Sequence, residues 1–296
     1  MRPEIVPVIL AGGRGTRLWP LTVARRPKPL LRLFGRLSLL QQSLLRVRHL
    51  AAPVILCHRS HAASVRRHVQ EIDITATVLA EAAHGGTALA LACAALHLRQ
   101  AQPDSWMLVL PSDHAVDDES AFRAALQDLV RAAEDGGMAM LGAPPAFPFV
   151  RYGYILSDGD GRLAGFVEKP ERPLARQLCA HGALWNTGIF LCRPEILLQL
   201  LVEHAPIYYA AACQIFSGAQ EAGQDVLLPP SAVSLPPLSI DRAVMEFCRQ
   251  GGVATLDAGW SDIGTWPALI RAWLRLAARL RIHIDPPQAL RVSKLK

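Results

Sequence analysis

The sequence predicts an α/β protein of three layers, with a Rossmann-like, mostly parallel central sheet between helices. Short apolar runs alternate with longer stretches of helical periodicity, which is typical of strand–helix–strand units. The first apolar run leads directly into a glycine-rich loop, where open α/β sheets bind ligands. With 51% apolar and 19% charged residues in 296, the chain is globular and can bury a sizeable core.

Strands are expected at the short apolar runs, at residues 5–10, 54–57, 75–80, 106–110, 138–142, 152–156, 163–168, 189–192 and 253–256. Helices are expected where the helical period is clearest, at residues 88–99, 121–134, 240–249 and 266–279. Because proline has no N–H to donate, Pro7 is expected at a strand start. The Pro- and Gly-rich region 143–239 is predicted to form a smaller lobe against the sheet.

We predict one domain over residues 1–280 and a short tail over residues 281–296. The tail contains Pro286, Pro287 and basic residues, so we expect it to be poorly ordered or to bind a partner.

Composition limits the function classes. The net charge of +6 suits an anionic ligand, but no basic block is present, so nucleic acid is not expected. Neither a membrane span nor a secretory pattern is found. Six dispersed cysteines without a C-x-x-C pair are typical of free thiols in a reducing compartment. We therefore expect a cytoplasmic protein without a membrane partner.

The most specific string is LAGGRGTRLWP at residues 10–20, with Lys28 close behind. Its three glycines let the backbone turn sharply and bring N–H groups close to a ligand. Arg17 and Lys28 add cations that can face phosphate oxygens. No Gly-Lys-Ser/Thr follows, which excludes a Walker loop, and Leu18 stands where a dinucleotide fingerprint needs its third glycine.

Four further strings complete a pattern: YGYI at 152–155, FVEKP at 166–170, WNTGIF at 185–190 and SIDRAVME at 239–246. Together with the glycine loop they resemble the sugar-nucleotide pyrophosphorylases, most closely the mannose-1-phosphate guanylyltransferase branch. The resemblance covers residues 5–269. It implies a nucleotidyltransferase fold with a small sugar-facing subdomain, and transfer of a nucleotidyl group from GTP to mannose 1-phosphate with release of pyrophosphate.

The resemblance also implies roles for individual residues. Arg17 and Lys28 are the expected catalytic residues. The expected nucleotide-binding residues are Leu10, Ala11, Gly12, Gly13, Gly15, Thr16, Glu81, Gly86 and Thr87. The expected sugar phosphate-binding residues are Gly153, Glu168, Lys169 and Asn186. Asp241 stays open between a sugar contact and a helix cap.

Two aspartates, Asp113 and Asp262, each follow a predicted strand. Carboxylates from two strand ends can hold one Mg²⁺, whose other ligands are waters and phosphate oxygens. The resemblance places the family's metal ligands at the same two positions. The alternatives are a turn residue at Asp113 and a helix N-cap at Asp262. His114 is expected to be structural.

The chain departs from the mannose-type pattern in three places. Gly85 and Gly86 stand where relatives carry Arg and Asn, so relaxed selectivity for guanine is expected. Residues 26–30 read RPKPL but retain Lys28, and residues 147–151 lack the usual Thr-x-Thr-Gly. The second domain of longer relatives is absent from the sequence, so a transferase alone is expected.

Two alternatives to this function stay open. One is a nucleotidyltransferase that uses another NTP or another hexose 1-phosphate. The other is a non-catalytic regulatory paralogue that binds a sugar nucleotide and a partner subunit. The presence of Arg17, Lys28, Asp113, Lys169 and Asp262 favours catalysis. A homo-oligomer is neither indicated nor excluded.

Overall fold

Eleven strands form one mixed sheet in the computed structural model, which describes residues 3–13, 15–82, 85–232, 234–249 and 251–282. The strands are β1 Ile5–Leu10, β2 Val54–His58, β3 Thr77–Glu81, β4 Trp106–Pro111, β5 Met138–Ala143, β6 Tyr154–Ser157, β7 Leu163–Val167, β8 Leu184–Cys192, β9 Gln220–Ala222, β10 Asp225–Leu228 and β11 Gly252–Thr255. The helices are α1 Leu39–Arg46, α2 Arg59–Gln70, α3 Gly86–Ala101, α4 Glu119–Ala133, α5 Arg172–Ala180, α6 Pro194–His204, α7 Pro206–Ser217 and α8 Trp266–Ile282.

The sheet has the order β11-β5-β8-β4-β1-β2-β3-β10-β9, and its central strands are mostly parallel. β8 runs antiparallel to both of its neighbours, β4 and β5. The β6–β7 hairpin lies off this path and joins the sheet by pairing with β8. The predicted α/β fold with a mostly parallel sheet is therefore confirmed.

The alternating side chains of β1 show how the three layers form. Val6 and Val8 face one apolar cluster, shared with α3, α6 and α7. Ile9 faces the other cluster, shared with α1, α2 and α4. Because β1 is covered on both faces, nearly all of its side chains are apolar and buried.

Pro7 lies inside β1, between two partner strands. The carbonyl of Ile5 accepts from Ala51 on the β2 side, and alternation along the strand turns the nitrogen of Pro7 to the same side. Pairing with β2 begins only at Val8. The missing N–H therefore falls before the β2 ladder starts, which agrees in part with the expected strand start.

Several predicted elements need correction. The helix predicted at 240–249 is a five-residue π-helical turn, Asp241–Met245, closed by a bond from the Glu246 N–H to the Asp241 carbonyl. β8 begins at Leu184 and not at residue 189 as predicted. The earlier part of the strand was missed because a bulge at Thr187 and Gly188 interrupts the apolar alternation. Helices α1, α2, α5, α6 and α7 and strands β9 and β10 were not predicted.

The smaller lobe is shorter than predicted. The lobe consists of the hairpin β6–β7 and helix α5, which lie between β5 and β8 in chain order. Helices α6 and α7 return to the main body, where their apolar faces pack on α3, and β10 pairs with β3. The lobe therefore ends before β8.

The C-terminal helix α8 continues to Ile282, and the rest of the predicted tail, 283–296, lies outside the described residues. Across the described part of the chain, every helix is too short or too polar to cross a membrane.

Candidate active site

The glycine-rich loop leaves the carboxyl end of β1 and turns back against Lys28. Gly15 has φ +63°, and a Cβ there would lie 2.5 Å from the Cβ of Lys28, so only glycine fits. The Thr22 hydroxyl donates to the Gly15 carbonyl at 2.8 Å and fixes the turn. Arg17 follows in the 3₁₀ turn Thr16–Leu18, where its side chain is exposed and that of Leu18 is buried. The loop thereby places its backbone beside one buried cation and one exposed cation.

Lys28 connects the two loops that carry the predicted metal ligands. Its side chain is only 5% exposed, and Nζ lies 2.9 Å from Asp113 Oδ2. The same ammonium group donates to the main-chain carbonyl of Asp262. Asp113 and Asp262, 149 positions apart in sequence, therefore meet at one cation.

The loop after β4 and the loop after β11 are joined by a short bridge. Ala115 and Ser261 exchange two main-chain hydrogen bonds, at 2.9 and 3.0 Å. Asp262 does not cap α8; Thr265 accepts from the Ala268 N–H at the start of that helix. The N-cap alternative for Asp262 is therefore wrong.

The carboxylate of Asp262 is oriented by two donors. The Tyr152 hydroxyl donates to Oδ1 at 2.6 Å, and the Gly264 N–H donates to the same oxygen at 3.0 Å. Burial first, and then the adjacent Asp262 charge, raise the pKa of the Tyr152 phenol, so it stays protonated. In the sequence Tyr152 is only the first residue of the YGYI string, and nothing near it in the sequence indicates a contact with Asp262.

His114 lies in the same cluster, although the sequence indicated no role for it. The indole N–H of Trp260 donates to Nδ1 at 3.2 Å, which leaves the Nε2 side toward Asp113, 3.9 Å from Oδ1. Burial lowers the pKa of His114, with Asp113 opposing the shift. For Asp113, burial would raise the pKa, but Lys28 and His114 outweigh it, and the net pKa is lowered. The carboxylate of Asp113 is therefore ionised beside the ring.

Four residues from three segments meet on the other side of the cleft. Asn186, at the start of β8, donates through Nδ2 to Asp241 Oδ1 at 2.7 Å. A Cβ on Gly153 would lie 2.9 Å from Glu168 Oε2 and 3.3 Å from the Asn186 Cβ, so glycine permits this approach. The structure thus brings Gly153, Glu168 and Asn186 together as predicted, and adds Asp241.

The charges on this side are coupled. Lys169 pairs with Glu168, whose side chain is only 5% exposed, while that of Lys169 is 53% exposed. Burial, together with the charge of Glu168, raises the pKa of Asp241 to about 6. Asp241 accepts from Asn186 and provides no cap, which removes the cap alternative.

A cavity of about 240 Å³ lies between these two groups. Gly13, Asp113, Asn186 and Asp241 all line it. Thr87 lines it too and accepts from the Ile240 N–H at 2.8 Å. The cavity therefore adjoins residues predicted for the nucleotide and residues predicted for the sugar phosphate.

A larger cavity of about 400 Å³ lies at the carboxyl end of β3. Glu81, Gly85 and Cys93 line it, opposite a segment that includes Ser231 and Leu235. Burial raises the pKa of the Glu81 carboxyl to about 8. The cavity combines apolar and serine side chains with one half-buried carboxyl group, as in many small-molecule sites.

Gly86, next to this cavity, has no room for a side chain. Its φ is +83°, and a Cβ would lie 2.2 Å from the carbonyl oxygen of Leu238. The Leu238 N–H donates to the Gly85 carbonyl at 3.2 Å, and its carbonyl accepts from Ala88 at 3.1 Å. Gly86 is one of the residues at which the chain departs from the mannose-type pattern. Only glycine fits there, because the main chain of Leu238 packs against it.

The donor set at the two aspartates suits a hard divalent cation. The ion pair with Lys28 uses Oδ2 of Asp113, and the bonds from Tyr152 and Gly264 use Oδ1 of Asp262. Each carboxylate therefore has a second oxygen that these contacts do not use. Within the described ranges, no three His, Cys, Asp or Glu side chains converge to form a metal site. Two carboxylates fit a cation that takes its remaining ligands from phosphates and water.

Comparison with known proteins assigns the fold and site to a family. The nucleotidyl transferase family matches residues 6–279, and the chain belongs to that family. Nucleotidyltransferases of this family generally use a divalent metal.

Two curated relatives each match 90% of the chain. The chain is 38% identical over 278 residues to the alginate biosynthesis protein AlgA of Pseudomonas putida, covering 90% of this chain and 57% of that protein. It is 35% identical over 279 residues to the mannose-1-phosphate guanylyltransferase of Klebsiella pneumoniae, with 90% and 59% covered. The chain thus spans less than two thirds of these curated relatives.

Solved structures show the same similarity. A Thermus thermophilus protein named mannose-1-phosphate geranyltransferase superposes with a TM-score of 0.78 and 33% identity, covering 91% of this chain and 79% of that one. A structure from Bacillus anthracis with the name putative glucose-1-phosphate thymidylyltransferase reaches a TM-score of 0.63 at 19% identity, with 92% of this chain and 95% of that one covered, and supports the fold alone.

Proposed function

We propose that the chain transfers the guanylyl group of GTP to α-D-mannose 1-phosphate, giving GDP-mannose and pyrophosphate. The observation that carries the proposal is the 240 Å³ cavity, which is lined by Gly13 and Asp113 as well as by Asn186 and Asp241. A triphosphate along the glycine loop and a sugar phosphate near Asn186 would meet there. The names of the mannose-related relatives support this choice of substrates.

The reaction needs positioning and charge neutralisation more than a covalent nucleophile. An oxygen of the sugar phosphate attacks the α-phosphorus of GTP, and the bond from that phosphorus to the oxygen that bridges to the β-phosphorus breaks. Arg17 and Lys28 neutralise the triphosphate, and Lys169 holds the phosphate of the sugar. Asn186 and Asp241 orient the sugar hydroxyls.

The metal in this proposal is Mg²⁺, held by Asp113 and Asp262. When bound, it offsets the negative charge that develops on the phosphate oxygens. The support is the pair of oxygen donors, which suits Mg²⁺ because this ion keeps several waters and phosphate ligands.

The larger cavity is the proposed base site. Guanine presents two N–H donors on its pairing edge, and adenine presents an acceptor there. The Glu81 carboxyl is protonated at neutral pH because burial raises its pKa to about 8, and it accepts from guanine through its carbonyl oxygen. The relatives' Arg and Asn are replaced by Gly85 and Gly86, so we propose a GTP preference that is real but relaxed. The buried thiols of Cys57, Cys93 and Cys192 support a cytoplasmic site of action.

A pyrophosphate-release assay that crosses four NTPs with mannose, glucose and other hexose 1-phosphates tests the proposal. We expect the highest kcat/KM with GTP and mannose 1-phosphate, with less than about a thousand-fold preference over the next NTP, or ~4 kcal/mol. A preference for dTTP or UTP would assign the chain to another nucleotidyltransferase, and absence of turnover with every pair would favour the non-catalytic paralogue.

Asp113→Asn and Asp262→Asn test the metal assignment in the same assay. Each should lower kcat at least a hundred-fold, because a charged metal ligand is lost. Asp128→Asn is the control, because that carboxylate is half exposed on α4 and pairs only with Arg131 among the described contacts. Wild-type kcat in either active-site variant would remove the metal assignment.

A further inference from the structure

The hydrogen bond from Tyr152 to Asp262 joins the segment beside the proposed sugar site to the loop that carries a proposed metal ligand. Tyr152 precedes Gly153, whose neighbours are Glu168 and Asn186 on the sugar side. Asp262 lies in the loop after β11, on the metal side. At 2.6 Å the phenol gives a short bond to a carboxylate, the kind of charge-assisted bond that fixes orientation as well as contributing energy.

An aromatic cluster holds the Tyr152 ring in place. Its ring centre lies 4.7 Å from that of Phe149, 5.1 Å from Trp185 and 5.5 Å from Trp260, all edge to face. Trp185 is itself anchored by its indole N–H, which donates to the Tyr154 hydroxyl at 3.2 Å. The phenol oxygen therefore reaches Asp262 from a ring that packs against three other aromatic rings.

The surroundings of Asp262 leave its other oxygen a defined direction. Tyr152 and Gly264 both donate to Oδ1, so these bonds turn Oδ2 away. Oδ2 has room beside Gly264 because glycine has no side chain; a Cβ there would lie 2.4 Å from this oxygen. Two donors and one gap together define a single orientation of the carboxylate.

We propose that Tyr152 is a positioning residue for the divalent cation, which it serves by fixing Asp262 so that Oδ2 faces the metal. This inference rests on the metal role of Asp262 in the proposed function and adds a residue to it. Hydrogen-bond partners of metal-ligating carboxylates commonly change metal affinity ten- to a hundred-fold when they are removed. The sugar-side segment thereby takes part in building the metal site.

Tyr152→Phe tests the proposal because it keeps the ring and removes only the hydroxyl. Mn²⁺ serves as the probe, titrated into the nucleotide-free protein and followed by the EPR signal of the free ion. We expect the dissociation constant to rise at least ten-fold, with the thermal midpoint little changed. In steady state the Mg²⁺ concentration for half-maximal activity should rise, and kcat should recover at high Mg²⁺.

Tyr154→Phe is the matched control. This tyrosine lies two residues further on, and its hydroxyl contacts Phe149 and Trp185 instead of a carboxylate. It should leave the Mn²⁺ affinity unchanged. An equal loss in Tyr154→Phe would show that general packing of the aromatic cluster matters, which would overturn the positioning role.

The outcomes also separate this inference from the function on which it rests. If Asp262→Asn weakens Mn²⁺ binding and Tyr152→Phe does not, the positioning role is wrong and the metal assignment stands. If Asp262→Asn leaves Mn²⁺ binding unchanged, both are wrong.

Discussion

Lys28 Nζ lies 2.9 Å from Asp113 Oδ2, and the pair is largely shielded from solvent, with side chains 5% and 23% exposed. The same ammonium group donates to the carbonyl of Asp262. A protein cation therefore already bridges the two loops proposed to hold the metal. Removal of this cation should affect folding as well as catalysis.

Lys28→Met should lower the free energy of unfolding by about 2–4 kcal/mol, because Asp113 would keep its burial and lose its partner. Urea unfolding followed by circular dichroism measures the change. The double variant Lys28→Met/Asp113→Asn should be more stable than Lys28→Met alone, since the uncompensated charge is gone. Equal stability of the single and double variants would show that the ion pair contributes little.

Arg17→Ala and Lys169→Ala should change different kinetic constants. Arg17 lies in the glycine loop, so its loss should raise KM for GTP and lower kcat, whereas Lys169→Ala should mainly raise KM for mannose 1-phosphate. Each lost phosphate contact corresponds to about ten- to a hundred-fold in kcat/KM. The control is Arg172→Ala, an exposed cation three residues after Lys169. If Lys169→Ala changed only the KM for GTP, the proposed position of the sugar site would be wrong.

Gly86→Ala should destabilise the protein more than Gly182→Ala does. Both glycines have positive φ, +83° and +76°, so both alanines carry a backbone penalty of about 1–2 kcal/mol. Only at Gly86 would the new Cβ also meet the main chain of Leu238, whereas the space around Gly182 is open to 4 Å. Thermal unfolding of the two variants isolates the clash, and equal midpoints would contradict it.

Glu81 should make stability fall as the pH rises through a defined window. Its pKa in the folded protein is about 8, against an ordinary value of 4.5, so between these values the folded state keeps a proton that the unfolded chain releases. Stability therefore decreases with pH there, by at most about 1.4 kcal/mol per pH unit.

Glu81→Gln removes this dependence. The stability difference between variant and wild type, measured in urea from pH 5 to pH 8, should shift in favour of the variant as the pH rises. A constant difference across this range would mean that Glu81 ionises normally in the folded protein.

The sequence was sufficient for β1 and for the glycine loop after it, because each follows a local pattern. Helices α6 and α7 escaped prediction, since both have apolar residues on several sides and show no clear 3.6-residue period. The contacts of Tyr152 and Asp241 were out of reach for another reason. Both depend on residues far away in the chain, Asp262 and Asn186, which only the folded topology brings close.

The reversed direction of β8 has a consequence for how this scaffold diversifies. β5 and β8 are adjacent and antiparallel, so the chain between them leaves and re-enters the sheet through one pair of neighbouring strands. Of the proposed acceptor contacts, Gly153, Glu168, Lys169 and Asn186 fall within this excursion or at its return, and Asp241 lies outside it. We therefore expect sequence changes in this segment to alter most of the proposed acceptor contacts and to leave the strands around the glycine loop unchanged.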